Sequence, residues 1–160
     1  MTRILTVAAL LILVVFGATT LREMLLSDET KIRNRILDAA EAFNDARPGS
    51  AVAPLADDWR ARPSGVTKQE LHQILVGLVL QEKDAEGDFL YAVDVPEESL
   101  AVELVEEGKA KATLVAHFTR RVGDAPTPKW SVSIDAELRD GDDGWEIQRT
   151  EHTTLSGSPR

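Results

Sequence analysis

Apolar and polar residues alternate through the last third of the chain. Ala110, Ala112, Leu114, Ala116 and Phe118 are interleaved with Lys111, Thr113, Val115, His117 and Thr119. Trp130, Val132, Ile134, Ala136 and Leu138 are interleaved with Ser131, Ser133, Asp135 and Glu137. A period of two puts one set on a covered face and the other in water, so residues 109–155 predict paired strands. Phe89, Tyr91, Val93 and Val95 begin the same pattern earlier. Pro96-Glu97-Glu98 interrupts it, and Leu100, Val102 and Leu104 resume it. Glu106-Glu107-Gly108 predicts a tight hairpin, residues 123–128 a looser connection, and Asp140-Gly141-Asp142-Asp143-Gly144 the last turn before Trp145 and Ile147. Residues 156–160 read as a frayed tail.

A sheet with one apolar face needs a cover, and two upstream stretches have the helical period that could supply it. Ile32, Ile36, Leu37, Ala40 and Phe43 recur three and four apart after a capping Ser27 or Asp28, and Pro48-Gly49 closes that helix. Thr67 with Glu70 makes a capping box, flanked by the staple pair Val66 and Leu71. Leu71, Ile74, Leu75, Leu78 and Val79 form the inner face of this second helix. Val76 and Leu80 widen it, which predicts a helix buried on most sides. Between the helices, residues 51–55 predict a short helical turn. Asp57-Asp58-Trp59-Arg60-Ala61-Arg62-Pro63-Ser64-Gly65 predicts a loop whose Trp59 either plugs the gap between helices or lines a pocket.

The first residues change the picture of placement. Residues 4–21, from Ile4 to Leu21, carry no charge and reach the lower limit for spanning a bilayer, roughly 17–25 residues. An Ala-x-Ala-like cleavage site does not follow; Val15-Phe16-Gly17 and Gly17-Ala18-Thr19 are both poor. The expectation is a retained signal anchor over residues 1–24 with the lipid bilayer as partner, one domain over 25–155, and the tail. Arg3 favours export of the domain to the non-cytoplasmic side, whereas Arg22, Lys31, Arg33 and Arg35 pull the other way. Domains of this size translocate largely regardless of their own charge, so the expected protein is single-pass with an exported domain.

Composition then excludes some chemistry. The 160 residues are 43% hydrophobic and 28% charged, as in ordinary globular chains. A formal charge of −9 without a basic stripe argues against nucleic acid as a partner. With no cysteine there is no disulfide, thiolate metal site or cysteine nucleophile. Ser64-Gly65 and Ser156-Gly157 lack the flanking glycines of a nucleophile elbow. The carboxylates between Asp140 and Asp143 lack the distal glutamate of a calcium loop.

Three histidines remain. His72 borders the apolar face of the second helix and is the weak candidate for a general base, with Tyr91 as a neighbour that could set its pKa. His117 and His152 fall on the outer sheet face beside Asp135 and Glu137, a metal-ligand set with no supporting spacing. A β-bulge would exchange the faces. No metal and no cofactor is called for.

The order of elements resembles the nuclear transport factor 2-like superfamily, a cone-shaped α+β fold. The residues carrying the resemblance are Leu55-Ala56-Asp57-Asp58-Trp59 leading through Ser64-Gly65 into the Thr67 helix, and the closing Asp143-Gly144-Trp145-Glu146-Ile147. The resemblance spans residues 28–155. It implies an α+β fold with helices packed on a curved antiparallel sheet, here after a transmembrane helix. It also implies a pocket between helices and sheet, lined here by Trp59, His72, Tyr91, Phe118, Trp130 and Ile134, and a homodimer through the outer sheet face. Enzymes of the superfamily place an acid or base pair inside the cone, and the expected inner strand of Trp130 carries none. The expected function is therefore a non-catalytic module binding a small apolar ligand or a protein. The alternative is an isomerase, dehydratase or hydrolase acting in the pocket.

Overall fold

The computed structural model describes residues 26–123 and 125–159; the proposed anchor lies outside them. Helix α1 (Asp28–Asn44) starts where Ser27 Oγ accepts the Thr30 N–H at 3.3 Å, and Asp28 and Glu29 sit in its first turn, where the helix dipole favours negative charge. Ile32 and Ile36 form its buried stripe. A short helix α2 (Pro48–Val52) opens on proline, whose missing N–H costs nothing in a first turn.

The stretch expected as a loop is a strand, β1 (Leu55–Arg62). Its burial does not alternate cleanly, because Asp57 and Asp58 stand side by side in water and only Trp59 beyond them turns fully inward. The pairing that makes it a strand comes from far away in sequence: β1 runs parallel to β6. Helix α3 (Lys68–Gln81) has the expected capping box, with Glu70 N–H donating to Thr67 Oγ1 and Thr67 N–H donating to Glu70 Oε2. Its surroundings differ from expectation. None of its residues is buried, and Ile74 and Leu80 are 57% and 70% exposed.

Strands β2 (Tyr91–Asp94), β3 (Ala101–Glu106), β4 (Lys109–Val122), β5 (Ala125–Gly141) and β6 (Gly144–Gly157) complete the fold. A 3₁₀ turn (Glu97–Ser99) separates β2 from β3 at the predicted interruption. The sheet order is β1-β6-β5-β4-β2, with β3 on the other half of β4. All pairings are antiparallel except β1 with β6, so the sheet is mixed, not wholly antiparallel. The connection expected over residues 123–128 is shorter, since Val122 already pairs with Ala125. At the other end β6 runs into the expected tail, and Ser156 pairs with Ser131.

Register shifts interrupt the ladders. Trp130 pairs with Phe118 but Pro128 with Thr119, and on β6 the pairing skips Gln148 and again Leu155. Each extra residue reverses which side chains face the helices. The core lies on the helical face. Ile32 and Ile36 pack with Leu100, Ala110, Ala112, Leu114, Ala136, Leu138 and Trp145. A second cluster joins Trp59 to Val52 and Leu55, and a third joins Val93, Ala116 and Val132. Among the described residues no helix is long and apolar enough to cross a membrane.

The capping box yields a test. The Thr67 N–H holds the Glu70 carboxyl below the ordinary glutamate value, so its contribution is present above ~4.3 and is lost as pH falls through the lower folded-state value. Thr67→Ala should cost about 1 kcal/mol. Glu70→Ala should lower the melting temperature at neutral pH, with the deficit vanishing at low pH. A deficit unchanged down to acid denaturation would refute the reciprocal cap.

Candidate functional site

The geometry of α3 defines the site. Its 14 residues make a rod about 21 Å long at ~1.5 Å per residue. The five strands of the main path span about 19 Å at ~4.8 Å per step. Helix and sheet therefore match in width, and α3 is fastened at the two opposite margins. At the β1 margin Thr67 bridges to Arg60, and Lys68 pairs with Asp57 at 3.1 Å. At the β2/β4 margin Glu82, the C-cap of α3, accepts the Arg120 guanidinium at 2.9 and 3.1 Å, and its carbonyl accepts the Leu90 N–H. The Glu82 carboxylate raises the Arg120 pKa above its ordinary value. Asp84 pairs with Arg121 beside it.

Between these fastenings Leu71, Leu75, Leu78 and Glu82 occupy one stripe of the helix, at spacings of four, three and four. Leu71 and Leu75 pack on the Trp59 cluster at one end and Glu82 meets Arg120 at the other, so Leu78 faces the sheet between them. Leu78 and Val79 are half-buried and join none of the three core clusters among the described residues.

On the helical face of the sheet lies an arc of rings. Phe118 stacks on Trp130 with centroids 5.3 Å apart, and Phe43 meets Phe118 edge-on at 5.8 Å. Phe89 meets Phe43 at 5.5 Å, and Tyr91 follows at 6.1 Å with Arg120 over its ring. At the other end His152 sits edge-on to Trp130 at 5.8 Å, and Trp130 Nε1 donates to Thr154 Oγ1 at 3.1 Å. All five carbocyclic side chains are half-buried, and His152 is exposed. Ile134, paired with His152, packs beneath them.

Of the residues expected to line the pocket, Phe118, Trp130, Ile134 and Tyr91 are therefore brought together. Trp59 is deeper, 4% exposed, in the corner where β1, α2 and α3 meet, and its buried Nε1 has no hydrogen-bond partner among the described residues. His72 is elsewhere: it opens onto a shallow depression of about 410 Å³ with Gly49, Val52, Asp57, Lys68 and Gln69. That depression lies at the β1 margin, across the sheet from Tyr91, so His72 and Tyr91 do not form a pair.

His152 is corrected from the outer to the inner face. The extra residue at Gln148 carries it opposite Ile134 instead of beside Asp135. The metal set of His117, His152 and Asp135 is split by the same shift. On the outer face His117 Nδ1 lies 2.8 Å from Ser131 Oγ, Thr113 donates to Asp135, and Arg149 donates to Glu137. Phe43 and Phe89 were not expected in the site. Phe43 reads as ordinary helix packing, and its reach to Phe118 depends on Asn44, whose side chain both donates to and accepts from the Val93 backbone at 2.9 and 2.7 Å.

Chemically, the arrangement offers flat apolar surfaces, one imidazole and hydroxyls at the rim. Asp135 and Glu137, on the strand beside His152, have their partners on the outer face, and Glu82 is held by Arg120.

No protein-family model matches the sequence, and no curated protein matches it. Solved structures do resemble it. A nuclear transport factor 2-like protein with a cystatin-like fold from Novosphingobium aromaticivorans superposes with a TM-score of 0.67 at 18% identity, covering 88% of this chain and 90% of that one. A cystatin-like domain of unknown function from Nostoc punctiforme gives 0.63 at 16% identity, over 81% and 78% of the two chains. A ketosteroid isomerase-like protein from Erwinia carotovora atroseptica gives 0.53 at 18% identity, over 77% and 92%. At these identities the likeness carries the architecture and nothing finer: the chain has the nuclear transport factor 2-like, cystatin-like cone.

Proposed function

We propose that the protein is a non-catalytic binding module whose hollow under α3 takes a small, neutral, ring-bodied ligand. The observation that carries this reading is the half-buried arc of rings from Tyr91 to Trp130, on the sheet face that α3 crosses between its Lys68–Asp57 and Glu82–Arg120 pairs. Stacked and edge-on rings contribute about 0.5–1.5 kcal/mol per pair beyond their buried area, and an incoming ring would extend the arc by one member. Charge on the ligand is disfavoured because Arg120 already has its counterion in Glu82.

A second reading, an isomerase or dehydratase, is favoured by one observation: the His152 imidazole at the Trp130 edge. The ketosteroid isomerase-like neighbour supports it to the extent of a shared fold. The described contact of His152 is with the Trp130 ring, which weighs against it, since a general base is ordinarily oriented by a polar partner.

We also propose that residues 4–21 tether the module to a bilayer with the domain exported, on the strength of their length and lack of charge. Alkaline carbonate washing should leave the 160-residue chain with membranes and release a variant lacking residues 4–21. Release of the intact chain would contradict the tether.

The hollow is tested with 2-isopropenylnaphthalene and the 160-residue chain in phospholipid nanodiscs. The Trp130 indole ¹⁵N–¹H resonance should move saturably. Trp130→Ala should weaken binding about tenfold or more, and His72→Ala should leave it unchanged. Equal loss in both variants, or no saturable shift, would contradict the reading.

A further inference from the structure

Helix α3 has a second stripe, on its outer side. Gln73, Ile74, Gly77, Leu80 and Gln81 are spaced one, three, three and one apart, which puts them within about 120° of arc at ~100° per residue. That arc is centred about 130° round the helix from the stripe of Leu71, Leu75 and Leu78. Ile74 and Leu80 are 57% and 70% exposed, both glutamines are exposed, and a Cβ built on Gly77 would meet nothing within 4 Å. A single exposed aliphatic residue needs no explanation, but two in line on one helix make a patch.

The order of residues along the stripe points to what covers it. Read in either direction from Gly77, it is chemically the same: a branched aliphatic side chain three residues away, Ile74 or Leu80, and a primary amide four away, Gln73 or Gln81. A twofold axis through Gly77 maps such a stripe onto itself in an antiparallel pair of helices. Ile74 of each copy then meets Leu80 of the other, and the glutamines, each both donor and acceptor, meet as Gln73–Gln81 pairs. Gly77 lies on the axis, where the missing side chain lets two backbones approach. Charge points to the same place. A formal −9 opposes self-association over the surface at large, whereas residues 71–81 carry no Asp, Glu, Lys or Arg. At each end the exposed Lys83 of one copy comes level with Glu70 of the other, six and seven residues from the axis. The antiparallel arrangement also sets the positive end of one helix dipole beside the negative end of the other.

We infer that α3 pairs two copies of this chain, antiparallel and twofold, with Gly77 on the axis. The pair uses the side of the helix away from the proposed hollow, and neither reading depends on the other. A contact about 21 Å long and ~10 Å wide falls short of the ~1,200 Å² buried in an ordinary stable complex. The pair is therefore weak in dilute solution and gains from the tether proposed above, which concentrates copies on one bilayer.

The chain has no cysteine, so an introduced thiol reports only on its own neighbours. Gly77→Cys, Gln73→Cys, Gln81→Cys and Lys111→Cys, the last on the outer sheet face, are made in the 160-residue chain and reconstituted in phosphatidylcholine vesicles. Vesicle-bound chain recovered by flotation is oxidised with copper phenanthroline. Gly77→Cys should form disulfide dimers about fivefold or more faster than Lys111→Cys. Gln73→Cys and Gln81→Cys should each react slowly alone, because their thiols stand eight residues apart in the pair, about 12 Å against a reach of ~7 Å. Reconstituted together they should react fast. Ile74→Glu should abolish trapping at position 77, and adding Leu80→Lys should restore it, since opposite charges then face each other twice. Gln73→Cys reacting alone as fast as in the mixture would overturn the inference, as would fastest trapping at Lys111→Cys, which would give the contact to the outer sheet face. Slow trapping everywhere, with position 77 labelled best by a lipid-soluble maleimide, would give the stripe to the bilayer and overturn it too. A chain that does not float contradicts the tether alone, and the same comparison is then read in concentrated solution.

Discussion

A single helix must reach across a whole sheet. The width of five strands and the length of α3 agree, and the helix is fixed by polar contacts at both margins: the Thr67 cap with Lys68–Asp57 on one side, Glu82–Arg120 on the other. Because the fastenings are at the ends, the middle of α3 need not be pressed onto the strands. Apolar side chains there stay half-buried instead of filling the core. The proposed site draws on the apolar stripe of α3 and on the aromatic rings of the sheet.

The main core lies at the other end of the molecule. Ile32 and Ile36 close the sheet against α1, with Trp145 and Leu138 beneath them. The main core and the proposed site therefore occupy different stretches of the same helical face. Phe43, the next-to-last residue of α1, is where the two meet. Asn44 grips the Val93 backbone and holds Phe43 against Phe89 and Phe118.

Much of this was legible in the sequence. The capping box and the alternation of β4 and β5 depend on residues near each other in the chain, and both elements stand where the pattern puts them. β1 was not legible. Its partner is a strand some ninety residues away, and the adjacent pair Asp57-Asp58 breaks the period that would have marked it. The exposure of α3 was hidden for a related reason: a helix rich in Leu and Val reads as core, whereas none of its residues is buried. His152 was misplaced because the skipped residue at Gln148 leaves no mark in a polar, threonine-rich strand. Phe118, Trp130 and Ile134 lie on the helical face because strand parity alone puts them there. His72 lies outside because a position bordering a helix's apolar stripe does not say which neighbour it meets.

The account turns on whether ring-bodied molecules occupy the space between α3 and the arc. The direct measurement is a set of intermolecular nuclear Overhauser contacts from bound 2-isopropenylnaphthalene to selectively methyl-labelled protein. Contacts to Leu78 methyls above and to the Trp130 ring below, in the same complex, are the result the account predicts. Contacts confined to the side of α3 that carries Ile74, or to the depression around His72, would contradict it.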